Sequence, residues 1–127
     1  MKLRAGKDNI VFNGPDEQFV GGRVMGADAG IGGTYGVYPE LLMEADRCVR
    51  EDDLEKALQI QLKINDLISE LTSFKGNLYD VMRLILAKRG VSVGRARNPL
   101  PHVEDDEMDH VEVVRQHIDD AIAEFTK

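Results

Sequence analysis

The fold of this chain is decided by two stretches of sequence, Ile10-Val11-Phe12-Asn13-Gly14-Pro15-Asp16-Glu17 and Gly26-Ala27-Asp28-Ala29-Gly30-Ile31-Gly32-Gly33-Thr34-Tyr35-Gly36. The first opens with a β-branched and aromatic run that is ended by a turn signal, which predicts a buried strand near residues 9–12. The second contains five glycines. Because glycine is poor in strands, this run predicts a second strand, near residues 28–33, whose backbone another group approaches closely.

A short helix is predicted between the two strands, at residues 16–25. Proline is favoured in the first helical turn, acidic residues there suit the helix dipole, and Gly26 would end the helix. A strand–helix–strand unit makes two parallel strands of one sheet. Two strands are too few for a stable sheet with both faces buried, so the pattern is typical of part of a larger α/β protein.

The remainder of the chain is predicted to be helical, because apolar side chains recur there at helical spacing. Four helices are expected, near residues 38–50, 53–73, 77–89 and 104–125. A loop at residues 91–101 separates the last two, since its prolines forbid a regular helix.

The composition argues against several classes of function. The 127 residues carry a formal net charge of -7, and no Lys/Arg cluster is dense enough to form the basic face that binds nucleic acid or an anionic membrane. No apolar run reaches the roughly 18 residues that a membrane span needs. Cys48 is the only cysteine, so an internal disulfide is impossible, and a cytoplasmic location is expected.

Two features could carry chemistry. Asp16 and Glu17 lie where a strand turns into a helix, and sites gather at the C-terminal ends of parallel strands. Adjacent carboxylates could accept hydrogen bonds from several hydroxyls of a sugar-like ligand, although the residues alone favour first-turn acids that match the helix dipole. The glycine-rich stretch could cradle a phosphate, but it lacks the Walker ending and the full dinucleotide fingerprint.

Neither a metal nor a cofactor is predicted. His110 and His117 share a helix face, with Asp106 one turn before the first of them. No third ligand is placed to complete a metal site, so the pattern favours a solvated face. Cys48 lies within an apolar stripe, which favours packing over a nucleophilic role.

Three segments together resemble the family of N-acetylneuraminate lyase and dihydrodipicolinate synthase, which are pyruvate-dependent aldolases. Residues 11–19 resemble the segment after the seventh barrel strand in the sialic-acid lyase branch, and residues 26–35 resemble its eighth strand. The third segment, Arg97-Asn98-Pro99-Leu100, is similar to the family's Arg-x-Pro loop before the last helix. The resemblance covers essentially the whole chain.

The resemblance implies an α/β fold, the C-terminal portion of a (β/α)8 TIM barrel with its last two strands, followed by an appended helical bundle. Residues 1–36 would supply the last two β/α units, and residues 37–127 the final barrel helix and the bundle. The family holds pyruvate as a Schiff base on a lysine of the sixth strand and is usually a homotetramer. That lysine and the catalytic tyrosine would precede Met1, so the chain is expected to hold no catalytic residue and to need the N-terminal half of the barrel as a partner.

The resemblance also implies a substrate and the residues that bind it. Gly14, Asp16 and Glu17 match positions that hold the polyhydroxy tail of a sugar acid. Gly33 matches a position that is often serine, and since glycine offers only its backbone, one side-chain contact is lost. The implied reaction is cleavage of N-acetylneuraminate to pyruvate and N-acetylmannosamine.

Other functions stay open. The same fold could serve a dihydrodipicolinate synthase or a keto-deoxy sugar acid aldolase. The acid pair argues against aspartate semialdehyde, which is small and has no polyol to bind. A function of another class, a non-catalytic helical remnant or interaction module, is the remaining alternative. In isolation the chain is expected to associate or to be partly disordered in its first third, because Ile10, Phe12 and Ile31 would lack packing partners.

Overall fold

The computed structural model describes residues 2–126, which form a two-stranded parallel sheet and six helices. The strands are β1 (Phe12–Asn13) and β2 (Ala29–Gly30). The helices are α1 (Lys2–Ala5), α2 (Phe19–Val24), α3 (Pro39–Arg50), α4 (Leu54–Leu71), α5 (Leu78–Lys88) and α6 (Met108–Phe125). Short 3-10 turns occupy Asp16–Gln18, Thr34–Gly36 and Asp105–Glu107.

The two strands pair in parallel, with Phe12 opposite Ala29 and Asn13 opposite Gly30, as predicted. Each strand is only two residues long, which is shorter than the sequence predicts. The prediction of a buried first strand is wrong for the described residues, because Ile10 is 72% exposed and Phe12 is 53% exposed.

The four long helices lie close to their predicted positions. Asp53 caps α4 by accepting a hydrogen bond from the Lys56 backbone N–H at 3.2 Å. The predicted helix at residues 16–25 divides into a 3-10 turn and α2, and the last helix likewise begins with a 3-10 turn. Helix α1 was not predicted, since a single turn is too short to show a periodic pattern.

The core is built around α4, which packs against both α3 and α6. The stripe of α4 that faces the core is almost completely buried and consists of Ala57, Ile60, Ile64, Leu67 and Leu71. Full burial of one such Leu or Ile side chain stabilises a fold by about 1.5–3 kcal/mol. Cys48 of α3 is fully buried among these residues, as its position in an apolar stripe predicts.

Gln61 interrupts the apolar stripe of α4 and joins the first third of the chain to the helical bundle. Its Oε1 accepts a hydrogen bond of 2.8 Å from the Val20 backbone N–H, at the start of α2. Its Nε2 donates to the Asp16 carbonyl oxygen at 3.1 Å. The first N–H groups of a helix have no acceptor inside the helix. The buried Gln61 side chain therefore gives the Val20 N–H a hydrogen-bond acceptor that it would otherwise lack.

The Asp16 side chain joins the loops that follow the two strands. It is 7% exposed, and its Oδ2 accepts hydrogen bonds from the Thr34 backbone N–H at 2.9 Å and the Thr34 Oγ1 at 2.6 Å. A Cβ atom on Gly32 would overlap the Asp16 carboxylate and the Tyr35 ring. The close approach that the glycine-rich stretch predicts is therefore made, at this position, by the Asp16 carboxylate.

Asp80 of α5 fixes the loop that precedes α6. This fully buried carboxylate accepts hydrogen bonds from Arg95 Nη2 at 2.6 Å and from the backbone N–H groups of Ala96 and Val103, both at 2.8 Å. Burial by itself raises the pKa of Asp80, but the hydrogen bonds from Arg95, Ala96 and Val103 outweigh it and hold that pKa well below its usual range.

Replacing Gly32 should break the connection between Asp16 and Thr34. In Gly32→Ala the new methyl group displaces the Asp16 carboxylate, so we expect amide exchange at Thr34 to accelerate about fivefold or more, corresponding to a strain of about 1–3 kcal/mol. Gly36→Ala is the matched control, because a Cβ atom there meets open space. Unchanged exchange at Thr34 in Gly32→Ala would contradict the role given to this contact.

Removing the Asp80 carboxylate should destabilise the bundle. We expect Asp80→Ala to lower the free energy of unfolding by about 3 kcal/mol in urea titrations, because Arg95 and two backbone N–H groups lose their acceptor. Asp66→Asn, at an exposed position of α4, is the control.

The effect of Asp80→Ala should depend on pH. The pKa of Asp80 is lower in the folded chain than in the unfolded chain, where it is about 3.9. The stabilisation is therefore complete above pH 5 and is lost as the pH falls below 4. The difference in unfolding free energy between wild type and variant should shrink as the pH falls from 5 to 3, and a constant difference over this range would show that the ionised carboxylate is not the cause.

Candidate functional site

The four site residues predicted from the sequence, Gly14, Asp16, Glu17 and Gly33, line a single cleft of about 280 Å³. The loops after β1 and β2 form one side of it, because the carboxyl ends of parallel strands meet at the same edge of a sheet. The end of α4 and the start of α5 form the other side. The remaining lining residues are Pro15, Thr34, Ile68, Thr72, Leu78 and Tyr79. The cleft thus lies between the strand ends and the helical bundle.

Asp16 and Glu17 differ in their surroundings, although they are adjacent in sequence. The buried Asp16 carboxylate is engaged by Thr34, so its first role in the structure is to hold the two loops together. The Glu17 side chain is exposed at the same cleft. Glu17 therefore offers the more accessible acceptor for hydroxyl groups, and Asp16 sets the shape of the cleft wall.

Thr34 and Tyr79 are among the lining residues that reasoning from the sequence missed. Thr34 directly follows Gly33, and a threonine that ends a glycine-rich strand is a signal for a side-chain contact in the turn. Tyr79 has no such signal, because it belongs to α5, far along the chain. It reaches the cleft because Asn77 caps α5 by accepting a hydrogen bond of 3.0 Å from the Tyr79 backbone N–H.

Two further tyrosines lie next to the Asp16 loop. Burial, and to a smaller extent the charge of Asp16, raises the pKa of Tyr35 to about 12. Burial and the neighbouring carboxylates of Asp16 and Glu17 likewise raise the pKa of the fully buried Tyr38 above its ordinary value. Both phenols are therefore neutral at physiological pH, and neither is a general base there.

A second cleft, of about 310 Å³, lies beside β2 and α3 and contains none of the predicted site residues. Its wall includes Phe19, Gly30, Tyr35 and Leu42, and the Phe19 and Tyr35 rings meet edge to face with centroids 6.1 Å apart. Its lining is mainly apolar, and Met43 at its rim is 71% exposed. This composition suits packing against protein better than binding a polar ligand.

The two histidines of α6 contact the end of α4 and the turn that follows it. His117 Nδ1 lies 2.7 Å from Glu70 Oε2, and His110 Nε2 lies 3.2 Å from Ser73 Oγ while its ring packs on Phe74. Among residues 2–126, no group of three His, Cys, Asp or Glu side chains is arranged to hold a metal ion. In the same part of the chain, every helix is too short or too polar to cross a membrane.

Comparisons with known proteins cover almost the whole chain. The chain is 43% identical over 125 residues to an N-acetylneuraminate lyase of Mediterraneibacter gnavus, covering 98% of this chain and 40% of that protein. Its structure is similar to that of a Ruminococcus gnavus sialic acid aldolase, with a TM-score of 0.93, 43% identity, and coverage of 97% of this chain and 41% of that one.

A more distant solved structure shares the same arrangement. An N-acetylneuraminate lyase from Fusobacterium nucleatum matches with a TM-score of 0.78 and 27% identity, covering 94% of this chain and 38% of that one. The chain thus spans about 40% of the length of the relatives that it matches. The sequence profile of the dihydrodipicolinate synthetase family matches residues 1–118. From this match we conclude that the chain belongs to the dihydrodipicolinate synthetase family.

Proposed function

We propose that this chain is the C-terminal part of a pyruvate-dependent lyase that cleaves N-acetylneuraminate, and that its cleft holds the polyhydroxy tail of the substrate. The observation that carries the proposal is that Gly14, Asp16, Glu17 and Gly33 surround one cleft at the strand ends. Similarity to N-acetylneuraminate lyases and to a sialic acid aldolase supports this substrate.

The chemistry of the cleft suits a polyol. The exposed Glu17 carboxylate can accept hydrogen bonds from two hydroxyls, and Gly14 and Gly33 present backbone groups without side chains in the way. Asp16, held by Thr34, keeps these loops at a fixed separation. Such contacts orient the substrate while the carbon–carbon bond is cleaved at the pyruvate end, which lies away from the tail.

The remainder of a (β/α)8 barrel is proposed to cover the exposed apolar side chains next to the sheet. Ile10, Phe12 and Ile31 are 72%, 53% and 67% exposed, and β1 and β2 each have one edge without a strand partner among residues 2–126. Exposed apolar surface beside open strand edges favours association with further strands. The lysine that forms the Schiff base and the catalytic tyrosine are proposed to belong to that remainder.

Three alternatives differ from this proposal in their substrate or in having none. A dihydrodipicolinate synthase would act on a semialdehyde without a polyol, and the exposed Glu17 in the cleft favours the sugar acid. A keto-deoxy sugar acid aldolase would use the same cleft with a shorter tail. A non-catalytic helical module would need no cleft at the strand ends. The homotetramer expected from the family is also a proposal, and sedimentation of the assembled enzyme tests it.

The chain alone should have no lyase activity. An assembled enzyme can be made by fusing this chain behind the N-terminal part of the Ruminococcus gnavus sialic acid aldolase, whose C-terminal part superposes on it with a TM-score of 0.93. We expect the assembled enzyme, and not the separate chain, to release pyruvate from N-acetylneuraminate in a coupled assay. Cleavage by a monomeric separate chain would refute the proposal.

Glu17→Ala in the assembled enzyme should weaken the use of polyhydroxylated substrates. We expect kcat/KM for N-acetylneuraminate to fall about tenfold or more, because a charged acceptor for the tail is lost. Borohydride trapping of pyruvate on the enzyme should persist, since pyruvate is bound elsewhere. Glu124→Gln, at an exposed position of α6, is the control. Loss of trapping in a folded Glu17→Ala protein would contradict the role in tail binding.

A further inference from the structure

The space that a side chain at position 33 would fill is bordered by a hydroxyl from another element. A Cβ atom built on Gly33 would lie 3.2 Å from the Tyr79 hydroxyl oxygen and 3.5 Å from the Tyr79 Cε1 atom. Both residues line the cleft described above. A serine at position 33 would thus direct its side chain to the region where the Tyr79 phenol already lies.

The Tyr79 hydroxyl is available to a ligand. Tyr79 is 48% exposed, and its hydroxyl has no hydrogen-bond partner within residues 2–126. The backbone, in contrast, is fixed, because Tyr79 lies in the first turn of α5, whose start is set by the Asn77 cap. A phenol on a rigid element offers one donor and one acceptor at a small cost in conformational entropy.

We propose that Tyr79 contacts the polyhydroxy tail of the substrate and supplies the hydroxyl that Gly33 lacks. The inference rests on the proposed function and adds to it a specificity-determining residue from the helical bundle. The Tyr79 hydroxyl occupies the space that a short side chain on the loop after β2 would fill. The wall of the cleft therefore keeps a polar group, which comes from α5 and not from the strand end. The substrate class that this arrangement fits is a sugar acid whose hydroxylated tail extends from the strand ends towards α5.

The surroundings of Tyr79 support a ligand contact over a structural role. The hydroxyl makes no bond that stabilises α5, and the neighbouring hydroxyl of Thr72 donates to the Ile68 carbonyl oxygen at 2.8 Å. The two hydroxyls of this wall therefore differ, since Thr72 is engaged by its own helix. Removing the Tyr79 hydroxyl leaves the aromatic ring, and with it the packing of α5, in place.

The test is Tyr79→Phe in the assembled enzyme. We expect KM for N-acetylneuraminate to rise about fivefold, the effect of one neutral hydrogen bond, with little change in kcat. Borohydride trapping of pyruvate, and condensation of pyruvate with glycolaldehyde, which has no polyhydroxy tail, should be unchanged. Ser73→Ala removes a hydroxyl just outside the cleft and is the matched control.

A second substitution tests whether a hydroxyl at position 33 can replace the Tyr79 hydroxyl in binding the substrate tail. In the Tyr79→Phe background, Gly33→Ser should restore KM, because a serine hydroxyl then has room at the same wall. In the wild-type background, Gly33→Ser should give no improvement, since its Cβ atom meets the Tyr79 oxygen at 3.2 Å. Restoration by serine only in the absence of the phenol would support the proposal.

Several results would overturn the inference. An unchanged KM for N-acetylneuraminate in Tyr79→Phe would show that the phenol does not contact the tail. An equal loss with N-acetylneuraminate and with glycolaldehyde would assign Tyr79 a general structural role. Failure of the proposed function would give a different result. The unmodified assembled enzyme, shown by circular dichroism to be folded, would not trap pyruvate, and the inference would then be wrong as well.

Discussion

The pairing of a nearly buried carboxylate with the amide and hydroxyl of a single threonine is the interaction on which the rest of this structure depends. Asp16 would be costly to bury without donors, and Thr34 provides two of them from the loop after β2. The backbone of Asp16 is held at the same time by Gln61 of α4. One residue therefore connects the loop after β1, the loop after β2 and the helical bundle.

This connection explains why glycine is needed at position 32 in particular. The carboxylate reaches Thr34 only by passing over the backbone of Gly32, where a side chain would overlap it. A sheet with two residues in each strand contributes few hydrogen bonds, so the parallel register relies on contacts outside the ladder. The cleft follows from the same arrangement, because the two loops that line it are the two that Asp16 joins.

The helical bundle forms the second wall of the cleft and holds that wall in a fixed position. Helix α4 is packed on two sides by α3 and α6, and the loop before α6 is fixed to α5 by Asp80. The start of α5 is thereby held in position, and with it the Tyr79 ring at the rim of the cleft. Exposed apolar side chains remain beside the sheet, as at Ile10, Phe12 and Ile31, and also on the helices, as at Met43 and Leu62, whereas the core between the helices is almost completely buried.

The sequence by itself determined the order of the two strands and the four long helices, the parallel direction of the strands and, through its resemblance to a known family, four residues that line one cleft. Each of these is encoded locally, by apolar spacing, by turn residues or by a motif of adjacent positions. Only the tertiary structure shows that Asp16 is buried whereas Glu17 is exposed. It also shows that Gln61 binds the start of α2 and that Tyr79 lies beside Gly33. These outcomes depend on contacts between residues far apart in the chain, and no local pattern of polarity records which distant group a side chain will meet. For the same reason the sequence predicted a buried first strand, while the described residues leave Ile10 and Phe12 exposed, since burial depends on what packs against a strand as well as on its own apolar character.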